Sequence, residues 1–283
     1  QRKEIESRRE KMRHPELLVP ASSLEVLKIA VIFGADAVYI GGKSFSARKN
    51  AVNFSDKEII NAVKYAHLRG AKVYITLNTL LKDSEIKDAS EFVKFCDNAG
   101  VDALIIQDLS VLAMIKNMNV NLAPHASTQM TVMNTEGVKI CEKMGYTRVV
   151  LARELSFDDI KNISEKTNCE LEVFVHGALC VCCSGQCLLS SVIGARSGNR
   201  GDCAQPCRLL YQTPEAKKPQ YLLSLKDICT LDILPEIVEA GVMSLKIEGR
   251  MKQPGYTAGV TSVYRKYLDI LFEKGAENYK VAE

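Results

Sequence analysis

Glu16-Leu-Leu-Val-Pro-Ala21, Ser23-Leu-Glu-Val-Leu-Lys-Ile-Ala-Val-Ile-Phe33, Gly34 and Ala37-Val-Tyr-Ile-Gly41 decide the fold. A short apolar run, a capped helical stretch closed by glycine and a second apolar run form one strand–helix–strand unit. The alternation recurs down the chain. Ser55-Asp-Lys-Glu58 opens a helix with a capping-box pattern, and Arg69-Gly70 ends it, because glycine suits the left-handed C-terminal position. Lys72–Asn78, Ala103–Gln107, Asn121–Ser127, Arg148–Glu154, Glu170–His176 and Ser244–Glu248 read as further strands. Helices are expected over 84–98, 109–118, 134–144, 156–166 and 256–274. Residues 227–240 also read as helical, and Leu209–Gln212 with Tyr221–Leu225 as a β-hairpin around Thr213-Pro-Glu-Ala-Lys-Lys-Pro219.

Eight buried strands, each followed by a helix, predict an α/β fold of the TIM-type (β/α)8 barrel class, with a Cys-rich loop and the hairpin excursion between strands 7 and 8. A doubly wound open sheet would carry a glycine-rich phosphate turn after its first strand, and Val19-Pro-Ala-Ser-Ser23 has none. The expected boundaries are a charged leader at 1–14 and one barrel domain over 15–283, with a Cys-rich insertion at 177–226. The chain has 283 residues, 47% of them hydrophobic, enough for one large core. No apolar run has the length that spans a bilayer, and the leader lacks the apolar core of a signal peptide. A cytoplasmic protein with no membrane partner is expected. The net charge of +3, from 37 basic and 34 acidic residues, permits a nucleic-acid partner without arguing for one.

In such a barrel the C-terminal ends of the strands line a common mouth. Asn78, Gln107, Asp108, His125, Ser127, Gln129, Arg153, Glu154, His176, Lys246, Glu248 and Arg250 are the polar residues expected there. A charge closing a buried strand needs a partner, a bound anion or water. The planar forks of Arg153 and Arg250 would match a small dicarboxylate. For any one of these residues, a structural salt bridge at the rim is an equally good account.

Six of the ten cysteines fall within 28 residues: Cys180, Cys182, Cys183, Cys187, Cys203 and Cys207. With no export signal, they read as reduced thiols or metal ligands. A zinc ribbon would show two C-x-x-C pairs, and the chain does not have two. An iron–sulfur cluster tolerates looser spacing because its irons spread the ligand positions over a wider body. Cys96 and Cys141, on apolar helix faces, suit burial. A nucleophilic cysteine with His125 or His176 as base would use one thiol and leave the others idle.

Glu172-Val-Phe-Val-His-Gly-Ala-Leu-Cys180 and its continuation through Gly185, Cys187 and Ser190 match E-x-F-x-x-G-[SA]-[LM]-C-x4-G-x-C-x-[LIVM]-S in full. On this motif the chain resembles the collagenase-like peptidase family U32. R-S-G-N-R-G-D-C-A-Q-P-C-R, A-D-A-V-Y-I-G-G and S-L-K-I-E-G-R-M-K extend the likeness over nearly the whole chain. The resemblance implies an oxygen-independent hydroxylase of tRNA or ribosomal RNA pyrimidines, with prephenate as oxygen donor and co-substrate. A protein electron donor is a further implied partner. The A-Q-P-C-R and H-A-S-T-Q stretches are most similar to the ribosomal-RNA branch. Carried over by position, the ligands of a 4Fe–4S cluster would be Cys180, Cys187, Cys203 and Cys207, with Cys229 in reserve; zinc or bare thiols are expected after aerobic handling.

From their expected place at the barrel mouth, His125, Arg153, Glu154, His176 and Glu248 are the candidate catalytic residues. Asn78, Gln129, Arg196, Arg200, Lys246 and Arg250 are the candidate substrate-binding residues, with Arg196, Arg200 and Arg208 meeting RNA phosphate. Two alternatives stand beside this. One is a collagenase-like peptidase, although H-E-x-x-H and G-x-S-x-G are both lacking. The other is a non-catalytic, cluster-bearing RNA-binding subunit.

Overall fold

The computed structural model describes residues 14–47, 52–215 and 218–282; of the expected leader at 1–14, residues 1–13 lie outside them. Eight parallel strands form a closed barrel: β1 (Glu16–Pro20), β2 (Ala37–Gly41), β3 (Lys72–Leu77), β4 (Ala103–Ile106), β5 (Ala123–Ala126), β6 (Arg148–Val150), β7 (Glu170–Gly177) and, after a short β8 (Ile228–Cys229), β9 (Ser244–Ile247). β1 to β7 pair in sequence, and β9 fits between β7 and β1 to complete the ring. β8 runs antiparallel to the end of β7 and extends the sheet outside the ring.

The helices are α1 (Leu24–Ile32), α2 (Asp56–His67), α3 (Ile86–Asn98), α4 (Leu109–Asn117), α5 (Thr135–Lys143), α6 (Phe157–Lys166), α7 (Leu189–Gly194), α8 (Leu234–Glu239) and α9 (Pro254–Lys274). Their starts follow from side-chain caps. Ser23 accepts from the Val26 N–H, and Glu58 accepts from the Ser55 N–H at 2.8 Å. At α6, Ser156 and Asp159 cap one another reciprocally. Among the described residues no helix is long and apolar enough to cross a membrane.

Strand alternation sorts the side chains into two cores. Leu17, Val38, Val73, Leu104, Val149, Val173 and Leu245 point outward and pack beneath helix residues such as Leu27, Ile59, Val93, Val138 and Leu268. Leu18, Ala37, Tyr39, Tyr74, Ala103, Ile105 and Val150 fill the lumen. The lumen also holds charges. Arg148 reaches Glu16 at 2.6 Å, Glu170 at 2.9 Å and Glu172 at 3.4 Å, and Lys246 Nζ meets Glu172 at 2.7 Å. Removing one partner from such a buried chain leaves a charge uncompensated, at a cost of about 3–5 kcal/mol.

Two expected elements differ. The hairpin reduces to one antiparallel bridge, Tyr211 with Gln220, joined by two backbone hydrogen bonds of 2.8 Å. Pro214 and Pro219 lack N–H donors on either side, so the ladder cannot extend. Residues 227–240 are not one helix. Ile228–Cys229 joins β7, a 3₁₀ turn follows at Leu231–Ile233, and α8 begins only where Pro235 can occupy its first turn.

Candidate active site at the barrel mouth

A cavity of about 580 Å³ opens at the C-terminal ends of the strands. Inward strand residues Tyr39, Thr76, Ile105, Phe174 and Lys246 reach it from the lumen. Asn78, Ser127, Gln129, Arg153, Glu248 and Arg250 line it from the loops that follow the strands. The segment between β7 and β8 supplies Cys180, Cys187, Cys203 and Cys207 to the same cavity. The chain leaves β7 at Gly177, whose φ of +108° and whose place against the Glu248 carbonyl admit no side chain.

The four cysteines are electrostatic neighbours. Burial pushes the Cys207 thiol up, and Cys180, Cys203 and Cys187 push the same way. Gln205, left-handed at φ 55°, donates its N–H to Cys203 Sγ at 3.4 Å, and Ser190 Oγ lies 3.8 Å from the same sulfur. Among the described residues no three His, Cys, Asp or Glu side chains converge tightly enough for a single metal ion. Four thiols lining one cavity, with a backbone N–H on a sulfur and Gly198 against Cys203 and Cys187, are donors of the type that a multi-iron body takes.

The cysteine segment is fastened to the strand ends through Ser184. Arg153 Nη2 donates to Ser184 Oγ at 3.2 Å, Thr131 donates to the Ser184 carbonyl at 2.5 Å, and the Ser184 N–H reaches Glu154 at 3.1 Å. Next to it Gly185, at φ +77°, packs its Cα against the Gln129 backbone. Arg153 therefore both lines the cavity and braces its wall, while Glu154 braces only. Arg200, expected at RNA phosphate, is instead a strut: it holds the Leu80 carbonyl and Glu85, at 2.6 Å for the carboxylate. Arg208 is tied to Leu179, Leu225 and Ser224. Arg196 is exposed, with its Nε on the Asp202 carbonyl.

Lys246, Arg250, Asn78 and Gln129 all line the cavity. Arg250 is 4% exposed and donates to Thr76 Oγ1 at 2.6 Å and Ser46 Oγ at 2.8 Å. Its seat exists because Gly41 has no side chain; a Cβ there would lie 2.6 Å from Nη1. Asn78 accepts from the Ala47 N–H at 3.0 Å, and Gln129 carries a buried amide oxygen without a hydrogen-bond partner.

The two histidines stand apart from the cavity. His125 is an inward residue of β5, one layer below the mouth, edge-on to Tyr74 at 4.9 Å. Burial, then Arg148 and Lys246, hold its pKa well below the ordinary value, so the ring stays neutral. His176 is turned out of the lumen by a β-bulge between Phe174 and His176, and lies against Tyr264 and Tyr256. Burial lowers its pKa, with Asp227 opposing the shift and Lys252 adding to it. Neither ring lines the cavity, which corrects their expected place at the mouth. Ser184, Gly185, Ser46 and Glu172 had no assigned role in the sequence; only Gly185 and Glu172 sat in a recognisable motif.

A closed parallel α/β barrel with a cavity at the C-terminal ends of its strands has the architecture of the TIM-barrel class. The chain belongs to peptidase family U32, whose description matches residues 22–283. It is 43% identical over 267 residues to the 23S rRNA 5-hydroxycytidine C2501 synthase of Escherichia coli (strain K12), covering 92% of this chain and 40% of that protein. It is 41% identical over 266 residues to tRNA hydroxylation protein P1 of Bacillus subtilis (strain 168), covering 90% of this chain and 63% of that protein. The chain thus spans less than two thirds of either relative's length. The solved structure of the U32 peptidase Mk0906 shares the fold with a TM-score of 0.58 at 13% identity, over 83% of this chain and 93% of that one.

Proposed function

We propose that this chain is the catalytic barrel of an oxygen-independent RNA hydroxylase that modifies a pyrimidine of ribosomal or transfer RNA. The observation that carries the proposal is that Cys180, Cys187, Cys203 and Cys207 line the same cavity as Arg153, Lys246 and Arg250. The named activities of the two relatives point to the same chemistry. The four thiols would hold a 4Fe–4S cluster, which when bound supplies one-electron chemistry beside the cavity.

The protein's own groups do the rest. Lys246 and Arg250 offer cationic hydrogen-bond donors to the carboxylates of a prephenate-like oxygen donor. Tyr39 and Phe174 give that ligand an apolar bed, and Ser184 with Gly185 keeps the thiol wall pressed onto the strand ends. Arg196 is the exposed arginine left to meet RNA phosphate. The family's peptidase name has less support in the geometry, since neither His125 nor His176 lines the cavity beside a nucleophile.

The test has two arms. Protein purified without oxygen is assayed for iron and sulfide, and about four of each per chain are expected. RNA from a deletion strain is analysed by nucleoside mass spectrometry, with loss of one hydroxylated pyrimidine expected. Unchanged hydroxylation in both tRNA and rRNA overturns the proposal.

A further inference from the structure

We infer that Glu172 is a positioning residue that holds the Lys246 ammonium as a cationic anchor at the floor of the cavity, where it takes a carboxylate of a small organic acid. Lys246 is 4% exposed, yet it lines the cavity. Its Nζ lies 2.7 Å from Glu172 Oε1 and stands 4.5 Å and 5.4 Å from the ring centroids of Tyr39 and Phe174. A buried ammonium is a poor packing element, because methionine would fill the same lumen space without desolvating a charge. One of its three donors goes to Glu172, and an ammonium can serve further acceptors from its open side.

Glu172 is fully buried and cannot follow the lysine into solvent. Arg148 holds it from behind at 3.4 Å, and Arg148 is itself fixed by Glu16 of β1 and by Glu170, two residues before Glu172 on β7. Tyr74 donates to the second oxygen of Glu16. The chain of charges therefore runs from the barrel base to the cavity floor and ends in an ammonium. His125 on β5, a neutral ring under the field of both Arg148 and Lys246, adds no charge. From the loop after β9, Glu248 and Arg250 line the same cavity, and Arg153, Arg208 and Lys252 against Asp227 keep its walls net positive. An anion is the matching ligand.

This deepens the proposed function and rests on the cavity being its reaction site, but the test reads binding alone. Malonate is titrated calorimetrically into the full chain. Lys246→Met should weaken binding about tenfold or more near pH 7, through loss of a charge-assisted hydrogen bond. Glu172→Gln keeps the shape and removes the counter-ion. The uncompensated ammonium then sheds its proton more readily, so affinity should stay within about threefold of wild type near pH 6 and fall about tenfold below it near pH 9.

An equal loss at both pH values would mean a structural role and overturns the assignment to Glu172. Should either variant fail to fold, the unaltered chain decides. Malonate should protect Lys246 from reductive dimethylation, read by peptide mass spectrometry, and absence of protection overturns the site. Inorganic phosphate binding as tightly as malonate would overturn the carboxylate class. Intact malonate binding with no RNA product would sink the hydroxylase proposal and leave the anchor standing.

Discussion

Gly185→Ala should detach the thiol wall from the barrel while leaving the barrel folded. The added Cβ would lie 2.5 Å from the Gln129 carbonyl oxygen and 3.0 Å from its Cα. Both are backbone atoms in the turn after β5, so no side-chain rotation relieves the contact. Ordinary van der Waals contact begins at 3.4 Å, so one of the two segments must retreat by about 0.9 Å. Alanine at φ +77° adds about 1–2 kcal/mol of left-handed strain. The anchors of Ser184 to Arg153, Thr131 and Glu154 resist that retreat, and together the terms exceed the stability of a surface loop, which opens locally at low free energy.

The assay is thiol reactivity together with iron uptake after reconstitution, alongside a thermal melt. Gly194→Ala is the control, because a Cβ there meets nothing within 4 Å. In Gly185→Ala the cysteines should react several-fold faster and iron retention should fall, with the main melting transition little changed. Wild-type thiol kinetics and full iron content in Gly185→Ala would refute the docking argument.

Three further outcomes follow from the geometry. His125 has a folded-state pKa below its unfolded value, so its contribution to stability is full above about pH 6.5 and is lost on acidification, at up to about 1.4 kcal/mol per pH unit. His125→Phe should flatten the fall in Tm between about pH 6.5 and 5, and an unchanged slope would show the ring is not buried neutral. Gly41→Ala should push the Arg250 guanidinium off Thr76 and Ser46, lowering malonate affinity while thiol reactivity stays as in the wild type. Arg200→Ala removes a one-third-exposed ion pair to Glu85, so global stability should drop by no more than about 1 kcal/mol. Limited proteolysis near Gly198 should nevertheless accelerate, and an unaltered cleavage pattern would show that Arg200 is no strut.

The barrel was legible because its signals are local. Ser23, Ser55 and Ser156 mark helix starts within a turn of the residues they cap, and each apolar strand carries its own period. Prolines were the local signals misjudged: Pro214 and Pro219 confine the excursion to one bridge, and Pro235 delays α8. The site was less legible because its contacts join distant parts of the chain. Arg250 bonds Thr76 across 174 positions and Arg200 bonds Glu85 across 115, and no periodicity carries such a pairing. The misplacement of His176 has a different cause. Period-two alternation puts Glu172, Phe174 and His176 on one face, and a single bulge removes the last of them from the lumen.

Strand-end charges illustrate a general ambiguity that only tertiary structure resolves. Arg153 and Glu154 are adjacent, and alternation alone would send one into the mouth and the other away. In the fold both converge on Ser184, because the cysteine segment folds back over the rim and offers an oxygen to one and an N–H to the other. Arg153 still borders the cavity, whereas exposed Glu154 lies outside it. A substitution at either position should therefore disturb the thiol wall first. A pure loop-bracing role predicts that Arg153→Lys, which keeps charge but loses the fork, raises thiol reactivity as much as Arg153→Ala does. If lysine instead preserves the wall and only ligand affinity falls, the arginine serves the ligand in the cavity more than the loop.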